Sequence, residues 1–206
     1  MPAIGSPAQS TSSRSRGIGF RNKMSAKKIL IVTDDAGESY EILYAKHRFA
    51  EAGYEPVVAA TQKKLLNAVI HDFYPGWNTY IEKPGYLVQS DITFDDVNVD
   101  DYAAVLLIGG RAPEFLRHNQ KLIELVRSFH QREKWLLAIC HGIQILLAAG
   151  IGRGLKLTCY ENVRFELESC GGAWVNRECV RDGRIITGQT WGSHPDFYRE
   201  VFAQLG

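Results

Sequence analysis

The four cysteines of this 206-residue chain, Cys140, Cys159, Cys170 and Cys179, include no Cys-x-x-Cys pair. The ligand spacing of a zinc site is therefore missing, and no metal is expected. No secretion signal accompanies them, so they read as reduced thiols in a cytosol-like compartment, one of them reactive. Long apolar runs are missing too. A bilayer-crossing helix needs roughly 20 apolar residues, and "AICHGIQILLAAGI" is shorter and carries a histidine. Charge of one sign is not in excess, since 24 Lys and Arg face 23 Asp and Glu for a net +1. No broad basic field marks nucleic acid as the main partner. Nor does a Gly-x-Gly-x-x-Gly follow the first strand; "GIGRG" at 150–154 follows a helix instead, which argues against dinucleotide binding.

With 45% apolar residues and balanced charge, the chain suits one soluble domain with a real core. Residues 1–23 stand apart. They hold no acid, carry Arg14, Arg16, Arg21 and Lys23, and are rich in Ser, Gly and Pro. Such a leader is expected to be disordered. Its composition fits a transit peptide and organellar import; equally, "MSAKKILIV" reads as a natural start at Met24, making the leader an over-extended gene start or a vector-derived leader. Setting it aside leaves a single domain at 24–206 and a cytoplasmic expectation.

Strand and helix patterns alternate through that domain. "KKILIVT" (27–33), "EPVVAA" (55–60), "YAAVLLIGG" (102–110), "WLLAI" (135–139) and "GRIITG" (183–188) read as strands, the first and third buried on both faces. "ESYEILYAKHRFAEAG" places Ile42, Leu43, Phe49 and Ala50 at helical spacing and stops at Gly53. "NQKLIELVRSFHQREK" (119–134) lines up Leu122, Leu125, Val126 and Phe129. A buried helix is expected at 141–149 and an amphipathic one at "HPDFYREVFAQL". This alternation predicts an α/β fold, a flavodoxin-like, doubly wound, mainly parallel sheet. Function in such sheets gathers at the carboxyl ends of strands, here 34–38, 109–114 and 140–142. The aromatic segment 62–101, with "YPGWN" and "EKPGY", breaks the rhythm as an excursion of loops and short strands, either a surface elaboration or a wall over the site or subunit contact.

At residues 136–150, "LLAICHGIQILLAAG", Cys140 and His141 interrupt an apolar run. An isolated pair of this kind is usually a core cysteine beside an outward histidine. Strand before, helix after and Gly142 next door give instead the layout of a nucleophile elbow. A thiol at a helix N-terminus is expected to have a lowered pKa, and amides there, with those of Gly109 and Gly110, are candidates for an oxyanion hole. Adjacent residues on a turn point in different directions, so His141 need not be the simple base for Cys140. Glu114 in "GGRAPE" and Glu38 in "TDDAGE" fall at neighbouring strand ends as candidate proton carriers, although Glu38 also fits an acid at a helix start.

"ICHG" at an elbow, "GGRAPE" after a buried strand, and a Glu after the first strand followed by "EILY" and "HR" resemble the ThiJ/PfpI (DJ-one) superfamily over about residues 27–206. "YIEKPGY", "TCYENV", "GGAW" and "GQTWGSHPDF" are similar to the branch holding plant glyoxalase III-type enzymes and PfpI-like intracellular amidases. The resemblance implies a class I glutamine-amidotransferase-like fold, with Cys140 as nucleophile, Glu38 as the buried acid hydrogen-bonded to it, and His141 as partner histidine. Glu114 would reach the histidine from a neighbouring subunit, so self-association as a homodimer or larger homo-oligomer is expected. His194 is either a pocket residue or a helix cap. Two departures stand out: Ile143 replaces a proline common in the family, and plant relatives often carry two such domains where this chain has one. The function implied is cofactor-independent conversion of small aldehydes such as methylglyoxal to 2-hydroxy acids (D-lactate), or deglycation by the same attack. The alternatives are a cysteine peptidase or amidase and a redox-sensing stress protein in which Cys140 is oxidised.

Overall fold

The computed structural model describes residues 27–206; the leader expected at 1–23 lies outside the described residues. Seven strands form the main sheet in the order β10-β11-β7-β6-β1-β2-β5. These are β1 (Lys28–Val32), β2 (Glu55–Ala60), β5 (Ile92–Thr93), β6 (Tyr102–Leu107), β7 (Trp135–Ile139), β10 (Cys179–Asp182) and β11 (Ile185–Gly188). All pairings are parallel except β10 with β11, which fold back through the Asp182-Gly183 turn. Ile29 to Val32 and Ala104 to Leu107 are almost wholly buried. That is why these strands read as continuous apolar runs rather than alternating ones. The expected doubly wound, mainly parallel sheet is therefore the observed one.

Helices cover both faces. Helix α1 (Ser39–Glu51) and helix α6 (His194–Leu205) pack together through Tyr44 with Tyr198 and Phe49 with Phe202. Helices α2 (Ala112–Leu116), α3 (Gln120–Gln131), α4 (Ile143–Ala148) and α5 (Arg164–Ser169) form a second connected group. The stripe Leu122, Leu125, Val126 and Phe129 of α3 is buried as the spacing predicts, with Ile123 beside it. On α1 the buried face is Glu41, Ile42, Ala45 and Phe49; Ala50, expected on that face, is exposed. The last buried helix is shorter than expected, because residues 140–142 wind as a 3₁₀ turn before α4 starts. Among the described residues no helix is long and apolar enough to cross a membrane.

Segment 62–101 departs from expectation. It is built around two long antiparallel strands, β3 (Leu65–Asp72) and β4 (Ile81–Gln89), which form a separate hairpin sheet. Pro84 and Gly85 read as breakers, yet they lie inside β4. An edge strand with one side unpaired tolerates a missing N–H, and the ladder shifts register between Asn67 and Val69 opposite them. Pro75 and Gly76 do make the connecting turn. The hairpin is stitched to the loop after β1, where Ala36 N–H donates to Asn67 O at 2.8 Å and Val69 N–H donates to Gly37 O at 2.9 Å. The remaining small strands β8 (Lys156–Leu157) and β9 (Ala173–Trp174) pair apart from the main sheet.

Candidate active site

Cys140 ends β7 in the left-handed region, with φ +57°. A non-glycine residue held there costs about 1–3 kcal/mol and persists only where its surroundings enforce it. The turn's strain is thus in the cysteine itself. Gly142 has ordinary helical φ −54°; its bare Cα is needed because a Cβ would lie 2.2 Å from Leu107 O. The Cys140 sulphur is buried, 3.3 Å from His141 Nδ1, and makes no hydrogen bond to Glu38.

The acid beside the sulphur is Glu41. Its Oε2 accepts the Gly109 N–H at 2.7 Å. A Cβ on Gly109 would lie 2.8 Å from that oxygen, 2.5 Å from Cys140 Cβ and 3.2 Å from Cys140 Sγ. Glu41 and Cys140 therefore converge on the bare Cα of Gly109. Glu41 is 0% exposed, and its Oε1 has no partner among the described residues. Burial, reinforced by the Glu38 charge, pushes its carboxyl well above the usual carboxylate range.

Glu38, expected to meet the cysteine, instead caps α1. Its Oε2 accepts the Glu41 N–H at 2.7 Å and holds the first turn from which Glu41 projects. Burial raises its carboxyl to about 7. The two acids are one helical turn apart; both charges act on the thiol, Glu41 the more strongly, and it is Glu41 that shares the Gly109 position with Cys140.

Two further expectations change. The Cys140 pKa is not lowered: burial raises it, the Glu41 charge adds to this, and the amides of His141 and Gly110 pull the other way. The six-residue α4 is a weak counter to such burial. Because Gly109 N–H is committed to Glu41, the amides left to face the sulphur are those of Gly110 and His141. Gly110 N–H thus faces the sulphur as expected of an amide there, whereas Gly109 N–H, expected to be free, is taken by Glu41.

His141 is buried, and burial followed by the nearby His71 lowers its pKa to about 4, leaving it neutral at pH 7. Its ring packs on Tyr160 at 5.3 Å and Tyr80 at 5.9 Å. Glu114 sits exposed on α2, and its side chain hydrogen-bonds to nothing among the described residues, His141 included.

His194 opens α6 without capping it. It is buried, stacked on Tyr44 at 4.5 Å and edge-on to Tyr40 and Tyr198, with neither ring nitrogen bonded. It belongs to the α1–α6 packing, where burial depresses its pKa to about 4. A depressed base stabilises the fold above its unfolded value near 6.5, and that contribution is lost as pH falls toward 4. His194→Phe is accordingly expected to flatten the pH dependence of the urea midpoint between pH 6.5 and 4. An unchanged slope would show that His194 is not a source of the acid sensitivity.

Residues not singled out from sequence complete the wall: Glu41, His71, Tyr80 and Tyr160. For Glu41 the signal was present, since 41, 45 and 49 follow one helical stripe and an acid in an apolar stripe calls for a reason. His71 and Tyr80 come from the hairpin, whose course no local pattern disclosed. A cavity of about 840 Å³ lies beside this site, bordered by Asp34, Lys64, Glu82 and Arg111 and not by Cys140.

The sequence profile described as the DJ-1/PfpI family matches residues 27–204. Among proteins, the chain is 36% identical over 178 residues to deglycase PfpI of Pyrococcus furiosus, covering 86% of this chain and 99% of that one. It is 35% identical to protein DJ-1 homolog D of Arabidopsis thaliana, covering 93% of this chain but spanning only about half of that protein, 51%. To protein/nucleic acid deglycase 2 of Escherichia coli it is 29% identical, covering 88% of this chain and 99% of that one. Among solved structures, Drosophila melanogaster DJ-1beta superposes with a TM-score of 0.75 at 21% identity, covering 87% of this chain and 90% of that one.

Proposed function

The chain belongs to the DJ-1/PfpI family, and from that premise we propose that it is a cysteine-dependent deglycase that also converts small 2-oxoaldehydes such as methylglyoxal to 2-hydroxy acids. The relatives named deglycases support the broader class. The observation that carries the finer reading is the fully buried Glu41, whose carboxyl and Cys140 converge on Gly109. Peptide hydrolysis moves no hydrogen between carbons. Moving a proton between adjacent carbons calls for a sheltered carboxyl of raised pKa, which is what this site holds.

The thiol proton of Cys140 passes to His141 Nδ1, 3.3 Å away, and the sulphur bonds to the aldehyde carbon. The amides of Gly110 and His141 hold the oxyanion; the Glu41 proton converts it to a hemithioacetal. The Glu41 carboxylate then takes the hydrogen from that carbon, leaving an enediolate, and returns it to the neighbouring carbon while the hydroxyl proton of the first carbon passes to the second oxygen, giving a thioester of the 2-hydroxy acid. Water cleaves the thioester, releasing the acid, and the proton held by His141 returns to the sulphur. No metal or nucleotide enters these steps. In deglycation the same attack on an aminocarbinol carbon expels the amine. Glu114, exposed and with no side-chain partner among the described residues, would complete His141 from a second copy in a homo-oligomer.

The test is to incubate the purified protein with methylglyoxal and, separately, with freshly glycated N-acetyl-lysine. D-lactate and released N-acetyl-lysine are the expected products. Cleavage of a fluorogenic peptide with neither product would replace this reading with the peptidase one, and selective Cys140 sulfinate formation without turnover would replace it with redox sensing.

A further inference from the structure

Tyr80 stands immediately before β4 with its ring between two histidines. On one side it stacks on His71 with centroids 4.0 Å apart and planes 22° apart. On the other it meets the His141 ring edge-on at 5.9 Å. His71 is 3% exposed and fixed in turn, its Nε2 lying 3.0 Å from Glu82 Oε2. Glu82 takes both Arg111 contacts, 3.0 Å from Nε and 2.8 Å from Nη2. Arg111 directly follows Gly110, whose amide faces the sulphur. A continuous polar chain, His71–Glu82–Arg111, thus ties the ring that holds Tyr80 to the loop that carries the oxyanion donor.

The two tyrosines over the site differ in one respect. The Tyr160 hydroxyl is occupied, accepting from Asn162 Nδ2 at 2.8 Å and lying 3.4 Å from Thr79 Oγ1. The Tyr80 hydroxyl has no hydrogen-bond partner among the described residues. Charges at Glu114 and Cys140 both act on it, so it lies within electrostatic reach of the nucleophile, and burial keeps it protonated. A 2-oxoaldehyde brings two oxygens on adjacent carbons. The Gly110 and His141 amides serve the oxygen on the attacked carbon, which leaves the second oxygen without a donor just where negative charge develops as the enediolate forms.

We infer that the Tyr80 hydroxyl is a catalytic group, donating a hydrogen bond to the oxygen on the carbon adjacent to the one that Cys140 attacks, and that His71 is its positioning residue. This rests on the oxoaldehyde reading above. As the hydrogen leaves the attacked carbon for Glu41, its electron pair forms the carbon–carbon double bond and the adjacent carbonyl electrons move onto the oxygen that Tyr80 holds. The bond strengthens as the charge grows, so it acts on the transition state more than on the bound substrate.

Tyr80→Phe removes one oxygen and keeps the ring between the histidines. The expected result is a fall in kcat for methylglyoxal of about 10²-fold, in line with loss of an oxyanion donor, with Tm and the rate of Cys140 alkylation by iodoacetamide unchanged. His71→Phe, which retains the stack and loses the Glu82 bond, should give a smaller fall in kcat at similar KM. If wild type makes lactate and Tyr80→Phe keeps its kcat, the inference fails and the proposed function stands. A parallel loss of alkylation rate also overturns it, because Tyr80 would then act on the thiol. If wild type makes no lactate, the inference falls with the oxoaldehyde reading, while release of N-acetyl-lysine still decides the deglycase one.

Discussion

Cys140→Ala is expected to abolish turnover of methylglyoxal and of glycated amines, by at least about 10⁴-fold, since no other nucleophile lies at the oxyanion amides. Cys140→Gly should be equally inactive yet more stable than Cys140→Ala by about 1 kcal/mol, because only glycine adopts φ +57° without strain. The alanine-to-glycine comparison at one position cancels loss of the sulphur and isolates the backbone term. Urea unfolding read by tryptophan fluorescence measures it. Equal stability of the two variants would show that the elbow is relaxed, and residual turnover in either would remove Cys140 from the chemistry.

Glu41→Gln is expected to lower kcat by about 10²–10⁴-fold, the range of a lost general acid–base group, with the thiol still open to alkylation. Glu38→Gln keeps a capping oxygen for the Glu41 N–H and should leave kcat within about tenfold of wild type while costing no more than about 1 kcal/mol. Reversal of that order would return the acid's role to Glu38. The pH dependence gives an independent check. A carboxyl whose folded pKa is raised binds more protons in the native state, so its favourable contribution is present below pH 4.5 and is lost as pH rises toward the folded value. Glu41 should therefore contribute a loss of stability as pH climbs above 4.5, opposite in sign to the gain from His194 over the same range, and Glu41→Gln should remove that loss relative to wild type. Glu38, raised to about 7, adds its own loss between 4.5 and 7, which the Glu41 variant retains.

Much of this architecture was legible locally. Runs such as Lys28–Val32 and Trp135–Ile139 are buried on both faces, so composition alone marks them as inner strands. The caps and glycine stops of the helices bounded α1 and α3 within a few residues. At the site, Cys140, His141 and Gly110 follow from strand-then-helix order. The acid was placed one turn too early because two glutamates flank the start of α1, and which one faces the sheet depends on where the cap falls. Gly109 was offered as an oxyanion donor because a sequence lists every amide as free, whereas folding commits this one to a side chain 68 residues away. His71, Tyr80 and Glu82 were out of reach for another reason: they act through a hairpin whose docking is set by long-range backbone bonds to Ala36 and Gly37 and by Trp191 Nε1–H donating to His71 O at 3.0 Å.

That hairpin has a consequence for how the enzyme can change. It pairs with itself rather than with the main sheet and meets the site through His71 and Tyr80, which flank its connecting turn. Residues 74–78, inside the connection and short of Tyr80, can lengthen or shorten without disturbing the register of any strand beneath Cys140. Exchange of this one segment between relatives is thus a route to new substrate sizes that leaves the reactive centre intact. Grafting a shorter connection would widen the entrance from above while the thiol, its acid and its amides stay where β7, α1 and the Gly109–Gly110 loop put them.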